Sequence, residues 1–352
     1  MIILAIETSC DETSVAIVED GSHVHSLVIN SQIDIHKAFG GVVPEIAARS
    51  HIEVMIPVVE QALDEAGMSW DEIDAIAVTQ GPGLLGSLLI GVLTARTLAW
   101  AKNKPLYPIH HILGHIYANW ITSGPEYSTP YPTKQPEFPA LALIVSGGHT
   151  QLMYGKDHTS WEVIGRTRDD AVGEAFDKVA KVLGLPYPGG PSVATAAKEG
   201  DANKYRLPTP NVDDKYGYSF SGLKTALLRS VQKDSGKDHT FPSFELANLL
   251  SDQQKSDFAA SFQTKAIDYL VSRTVSAFND LHPKTVIIGG GVAASMPLRA
   301  KITEVIPVNI EYAPQILCTD NAAMIGARAY YQSLSNEPAD PRSVSVVPSW
   351  PL

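Results

Sequence analysis

Cysteine is almost missing from this chain of 352 residues: Cys10 and Cys318 stand far apart and outside any CxxC pair. Two such residues cannot build a disulfide framework, and their scarcity fits a reducing compartment. Long clean apolar runs are missing too. The longest, residues 84 to 101, is interrupted by Arg96, three hydroxyl residues and two glycines, so it reads as a buried helix rather than a membrane span. The opening Met1-Ile2-Ile3-Leu4-Ala5-Ile6 lacks a basic stretch and meets Glu7 too early for a signal segment, so a cytoplasmic location is expected. No GxxxxGK[ST] occurs, which excludes a P-loop. Basic residues are in deficit, 27 Lys and Arg against 38 Asp and Glu, for a net charge of -11. The deficit is uneven: residues 151 to 237 hold 13 basic against 11 acidic, while residues 1 to 150 hold 6 against 16. A nucleic-acid face would therefore draw on Arg166, Arg168, Lys198, Lys204, Arg206 and Lys215.

What is present is an α/β pattern. Residues 2–7, 8–13 and 14–18 read as strand, polar turn and strand, and the same grammar returns at 141–145, 146–150 and 151–154, which points to a duplicated architecture. Residues 50–67 show helical spacing of Ile52, Met55, Ile56, Val59 and Leu63. A strand is expected at 73–78, a helix from Leu84, helices at 170–183 and 258–281, and a strand at 285–288 running into Gly289-Gly290-Gly291 and a helix. Four prolines within residues 122–137 mark an inter-lobe loop, and the Pro- and Ser-rich residues 334–352 read as a loosely held tail. The expected division is a first lobe of residues 1–115 plus about 318–333, and a second of about 138–317.

His111 and His115 are spaced i, i+4, so on a helix they point the same way and can share one ion. Packing or capping at a lobe boundary is the alternative for that pair. Asp320, at the head of an apolar helix from Ala322, offers a third ligand. A zinc protease would need a glutamate after the first histidine, and position 112 is isoleucine. Ser146-Gly147-Gly148 and Gly289-Gly290-Gly291 stand at strand ends, where missing side chains would let a nucleotide approach backbone N–H groups. Asp169 and Asp170 read as an acidic helix start, with Asp177 on the face of Asp170 and available to a ribose. Asp11 and Glu12 occupy the first polar turn, in a functional or a simple turn role.

Taken in order, Glu7 to Thr13, Gly40 to Glu45, Gly81 to Leu84, His111 to His115, Ser146 to Thr150, Gly173 to Lys178, Tyr187 to Gly190, Ser219 to Thr225 and Cys318 to Asn321 resemble the motifs of the TsaD family of tRNA N6-adenosine threonylcarbamoyltransferases, bacterial and organellar branch. The resemblance implies a two-lobed fold of the actin, Hsp70 and sugar-kinase type, with the ligand in the cleft. It implies transfer of a threonylcarbamoyl group from threonylcarbamoyl-AMP to N6 of the adenosine 3′ of the anticodon, in tRNAs reading codons that begin with A. By the same resemblance His111, His115 and Asp320 hold one divalent ion, iron(II) first, with zinc or magnesium as alternatives. Ile144, Val145, Ser146, Gly147, Gly148, Asp177 and Gly190 meet the substrate, and Asp11 and Glu12 serve activity. The implied partners, besides tRNA, are a metal-free paralogue (TsaB-like) and a small P-loop ATPase (TsaE-like). Ser295, whose single hydroxyl offers fewer hydrogen bonds to an adenylate than an amide would, stands where the family usually has asparagine. An ATPase or kinase of the same fold, and a metalloprotease, are the rival readings.

Overall fold

The computed structural model describes residues 1–210 and 212–352. Ile2–Glu7 (β1), Glu12–Glu19 (β2) and His23–Ser31 (β3) form an antiparallel meander. The short helix Ile33–Lys37 (α1) and the long helix Pro44–Ala66 (α2) follow. Ala75–Gly81 (β4) then returns parallel to β1, and helix Leu85–Lys102 (α3) leads to Leu106–His110 (β5), giving the order β3-β2-β1-β4-β5. Helix His111–Tyr117 (α4) starts directly where β5 ends.

The second half repeats that arrangement. Ala140–Val145 (β6), Thr150–Asp157 (β7) and Ser160–Arg166 (β8) form a meander, followed by helices Val172–Leu183 (α5), Gly189–Ala197 (α6), Ser221–Asp234 (α7) and Asp252–Leu281 (α8). Thr285–Gly289 (β9) adds parallel to β6, so the order β8-β7-β6-β9 matches β3-β2-β1-β4. Met296–Val305 (α9) and Gln315–Cys318 (α10) lead to Ala322–Ser333 (α11), which crosses back to pack on β1 and β2.

Alternation along the strands explains the layers. Leu4, Ile6, Val15, Ile17, Ile76 and Val78 face α2 and α3, against Met55, Val59, Val92 and Ala95. Ile3, Ala5, Ala16, Val18, Ala75 and Ala77 point to the other face, against α11 and α4. There Gly326 lets α11 approach closely: a Cβ on it would stand 2.7 Å from Val18 Cγ2. Each fully buried Leu, Ile or Val contributes about 1.5–3 kcal/mol, so the doubly covered β1 and β2 anchor the first lobe.

Several sequence expectations are corrected. The helix expected from residue 170 begins at Val172, because Ala171 is extended and Val172 N donates to Thr150 Oγ1 at 2.8 Å. Asp170 therefore lies outside that helix, and shares no helix face with Asp177. Nor do the two aspartates act at the start of α5. Asp169 caps α7, accepting from Phe220 N, Ser221 N and both the Ser219 and Ser221 hydroxyls, while Asp170 pairs with Lys178 and Lys224. The run 84–101 is only half buried: Leu88, Val92 and Ala95 go inside, but Leu85, Leu89, Leu93 and Trp100 are exposed. Ile52 and Ile56 on α2 are exposed likewise, so that helix carries an inner and an outer apolar row. A short 3-10 turn, Gly291–Ala294, stands between β9 and α9.

The tail is not loose. Arg96 donates to the carbonyls of Pro341 and Arg342, Gln80 Nε2 to Ser345 O, and Val347 N to Gln80 O. Val344 is buried with the α2–α3 layer. The proline and serine content reads as loop, which it is, but the Arg96 side chain on α3 and the Gln80 side chain and carbonyl on β4 tie that loop down.

Candidate active site

The cleft gathers the C-terminal ends of β1, β4, β5, β6 and β9, the turns that follow them, and the segment before α11. His110 caps α4 with its side chain: Nδ1 accepts from Ile112 N at 3.2 Å, which leaves Nε2–H to donate to Trp350 O at 3.2 Å. Burial pushes its imidazole down to about 4. With the helix start fixed in this way, His111 and His115 project one turn apart, ring centroids 4.7 Å from each other. Asp320 meets them just ahead of α11, whose N-cap is Asn321, its side chain accepting from Met324 N. Asp320 Oδ1 lies 3.6 Å from His111 Nε2 and 3.2 Å from His115 Nε2.

This arrangement fits an ion. One ligand atom each from His111, His115 and Asp320 lie within 4.8 Å of one another. Neither ring nitrogen of the fully buried His115 has a hydrogen-bond partner among the described residues, although the aspartate oxygen is close to one of them. Atoms that are near but not aligned as donor and acceptor are aimed at a common point. Metal–ligand bonds of about 2.1 Å set neighbouring ligands about 3.0–3.4 Å apart, close to the 3.2 and 3.6 Å between Asp320 and the two imidazoles.

Electrostatics in the site are dominated by carboxylates and imidazoles. Burial opposes a charge on His111, but the Glu7 and Asp320 carboxylates outweigh it and push the ring up to about 9. Burial and the charge on its neighbour His111 hold His115 down. Asp320 is kept low despite burial, by His111 and His115. Glu12 is raised by burial and by the negative charges of Asp320 and Asp11; Ser31 Oγ donates to it at 3.2 Å. Asp11 is buried on the same turn, and its carbonyl accepts from Gln32 N. The turn is held from behind: His51 Nε2 donates to Cys10 O at 3.0 Å, and Thr13 Oγ1 donates to His51 Nδ1 at 2.7 Å.

On the opposite side, β6 ends at Ile144 and Val145, both buried, and Ser146 N donates to His149 O to close the Gly147-Gly148 turn. A Cβ on Gly147, Gly148 or Gly190 would meet nothing within 4 Å, so these backbones are open to a ligand. Gly290 is different. Its φ is +90°, and a Cβ would stand 2.4 Å from Val145 O. Gly289 packs on the carbonyl of His115, which joins the second glycine run to the histidine helix. Asp177 Oδ1 accepts from Gly189 N at 2.6 Å, and burial raises its carboxyl. Ser295 is the N-cap of α9, and its side chain makes no cap bond.

Three residues in the cleft carry no role in the sequence reading. His149 is pushed down to about 4 by burial and by the charges of His111 and His115. Tyr187 is raised by burial and by the charges of Asp177 and Asp11. Glu7 is fully buried under His111. The only signal for Glu7 was a carboxylate ending an otherwise apolar strand.

The family model for tRNA N6-adenosine threonylcarbamoyltransferase, TsaD, matches residues 23–327. The chain belongs to the TsaD family. It is 46% identical over 347 residues to the tRNA N6-adenosine threonylcarbamoyltransferase of Thermomicrobium roseum, covering 97% of this chain and 94% of that one. With its counterpart in Bacillus subtilis it shares 48% identity over 334 residues, 93% and 89% of the two chains. Two HypF structures share the fold at 12% identity. That of T.kodakarensis has a TM-score of 0.60 over 95% of this chain and 48% of its own, and a full-length HypF has 0.57 over 95% and 47%. The protein is thus a transferase acting on tRNA adenosine, of the actin-like two-lobed fold, and TsaD membership sets aside the ATPase and metalloprotease readings. No helix among the described residues is long and apolar enough to cross a membrane.

Proposed function

We propose that this chain transfers the threonylcarbamoyl group of threonylcarbamoyl-AMP to N6 of the adenosine 3′ of the anticodon, in tRNAs reading codons that begin with A, with a divalent ion held by His111, His115 and Asp320. One observation carries the metal part: three potential ligands, brought from α4 and from the segment before α11, converge within 4.8 Å beside the glycine turns of the second sheet. Iron(II) is the ion the family resemblance favours, with zinc or magnesium as alternatives. When bound, it would polarise the donor and offset the charge that develops as the C–O bond to phosphate breaks.

The chain's own residues supply the rest. Backbone groups of Ile144, Val145, Ser146, Gly147, Gly148 and Gly190 hold the adenylate, and the Ser295 hydroxyl reaches it with one group where an amide would offer two. Asp177 has one oxygen engaged by Gly189 N and the other available to a ribose hydroxyl. Glu12, a carboxyl made more basic by burial and by Asp320, takes the proton that N6 sheds as its bond to the threonylcarbamoyl carbon forms; AMP leaves with the electron pair of the broken C–O bond. Asp11, on the same turn, orients the amine.

Arg166, Arg168, Lys198, Lys204 and Arg206 are exposed and form the proposed tRNA face, whereas Lys215 is committed to Asp280 at 2.7 Å. The outer apolar rows of α2 and α3, with Ile52, Ile56, Leu85, Leu89 and Leu93 exposed, support work with protein partners, for which the paralogue and the P-loop ATPase are proposed. The site of action is the cytoplasm. Incubating the protein and these partners with threonylcarbamoyl-AMP and unmodified tRNA, then analysing nucleosides by mass, should yield the modified adenosine. Its absence under all conditions would refute the donor. Full transfer by Asp320→Ala after chelation would refute the ion.

A further inference from the structure

Glu7 ends β1 with no exposure to solvent, and it is wired on both oxygens. Ser9 N donates to Oε1 at 2.5 Å. Oε2 accepts from the Thr79 hydroxyl, across the β1–β4 pair, and from His111 Nδ1 at 3.2 Å; the Ser9 hydroxyl lies at the same distance from that nitrogen and is free to donate elsewhere while Glu7 accepts the Nδ1 proton. The opposite edge of the same imidazole carries Nε2, which faces Asp320 at 3.6 Å. Glu7 is thus outside the group of potential ligands and directly behind one of them.

An imidazole can bind a metal only through a nitrogen without a proton, and the hydrogen bond at one nitrogen decides the state of the other. A carboxylate can only accept. We infer that Glu7 is the positioning residue of the metal site: by accepting from Nδ1–H it fixes the His111 tautomer whose Nε2 lone pair faces His115 and Asp320. This inference rests on the metal reading given above.

The substitution Glu7→Gln changes one oxygen to an NH2 in nearly the same volume, and no orientation of that amide serves all three donors. With NH2 toward His111 the carboxylate acceptor is lost: Nδ1 either accepts from the amide, which sends the proton to Nε2 and blocks the ligand, or keeps its proton with only the neutral Ser9 hydroxyl to receive it. With NH2 toward Ser9 it sets two donors against each other in a dry site. Thr79→Val removes one bond to Glu7 without touching the imidazole.

The test measures zinc binding to the full chain by competition with a chromogenic chelator, for wild type, His111→Ala, Glu7→Gln and Thr79→Val, each checked by thermal melting without metal. Wild type should bind one zinc and His111→Ala should lose it. Glu7→Gln should bind about 10–100-fold more weakly, and Thr79→Val should stay within about threefold of wild type. Zinc binding by Glu7→Gln equal to wild type overturns the inference and leaves the metal reading standing. No zinc binding by wild type overturns both. A nitrogen-15 spectrum of zinc-loaded wild type decides independently of whether the variant folds: Nδ1 of His111 should carry the proton. Zinc on Nδ1 with the proton on Nε2 would overturn the assignment.

Discussion

Replacing glycines one at a time with alanine separates those that the fold needs from those that the ligand needs. Gly147 and Gly190 have no neighbour within 4 Å of an added Cβ and do not take a positive φ. For the folded protein alone, alanine there is free, and the loss of chain entropy in the unfolded state stabilises by about 0.4–1 kcal/mol. Gly290 has φ +90° and a Cβ position 2.4 Å from Val145 O. Strain and overlap together cost about 3 kcal/mol, which at this chain length lowers the melting temperature by about 4 °C. If the open backbones of Gly147 and Gly190 are where the adenylate lies, a methyl group there displaces a phosphate or ribose from an N–H donor. One hydrogen bond to a charged group is worth about 1.5–3 kcal/mol, so KM for the donor should rise about 10–100-fold.

The assay pairs melting curves with steady-state transfer at varied donor and saturating tRNA. Gly147→Ala and Gly190→Ala should melt at or above the wild type and lose donor affinity; Gly290→Ala should melt lower. The reasoning fails if Gly147→Ala and Gly190→Ala keep a donor KM within about twofold of wild type. It fails as well if they melt as low as Gly290→Ala.

Three further outcomes are expected. Asp169→Asn removes one acceptor from a carboxylate that holds four donors at the start of α7, a loss of about 1–2 kcal/mol in thermal or urea unfolding. Burial opposes ionisation of Asp169, but the Ser219 and Ser221 donors outweigh it and hold the carboxyl low. Its contribution is therefore present above the ordinary aspartate range and lost as pH falls through the lower folded value, so the gap between variant and wild type should close in acid. Glu12 is raised, so it holds its proton to a higher pH than an ordinary glutamate; wild-type transfer should fall on the acid side above the usual carboxylate range, and Glu12→Gln should remove that limb and cost about 10²–10⁴ in rate. Truncation before Ser345 removes the bonds joining Ser345, Val347, Pro348 and Trp350 to Gln80, Gly83 and His110, about 1 kcal/mol each, and hydrogen exchange at Gln80 and Gly83 should speed up.

The duplicated strand grammar was legible because each meander couples a period-two apolar pattern to a polar turn, and both survive in one dimension. His111 and His115 were legible for the same reason: helical spacing is a local property. Asp320 was visible only as a carboxylate at a helix head, since the crossing of α11 back onto β1 and β2, which brings it to the histidines, is a contact over some three hundred residues. Glu7 and Tyr187 could not be assigned roles from sequence. The groups that act on them, Thr79 and His111 for the first, the charges of Asp177 and Asp11 for the second, come from other strands, helices and turns. Local patterns also misjudged what faces water. The outer rows of α2 and α3 have the spacing of a buried face, and nothing in Ile52 or Leu89 distinguishes a residue covered by its own chain from one left for another.

The charge distribution connects the site to its substrates. Glu7, Asp11, Glu12, Asp177 and Asp320 surround the cleft; burial acts most strongly on Glu12 and Asp320, and the charges that follow it are other carboxylates and histidines, with no lysine or arginine among them. On the proposed function such a pocket would repel both an adenylate and an RNA backbone without a cation at its centre, and the convergence of His111, His115 and Asp320, the one point among the described residues where three potential ligands meet, would answer that need. The basic side chains that could attract tRNA lie instead on the exposed segments around α6, at Lys198, Lys204 and Arg206, and at the end of β8, at Arg166 and Arg168. The proposed function thus divides attraction of the polyanion and stabilisation of the leaving phosphate between different parts of the chain. A negative chain can handle tRNA because its net charge is a sum over regions that the substrate meets separately.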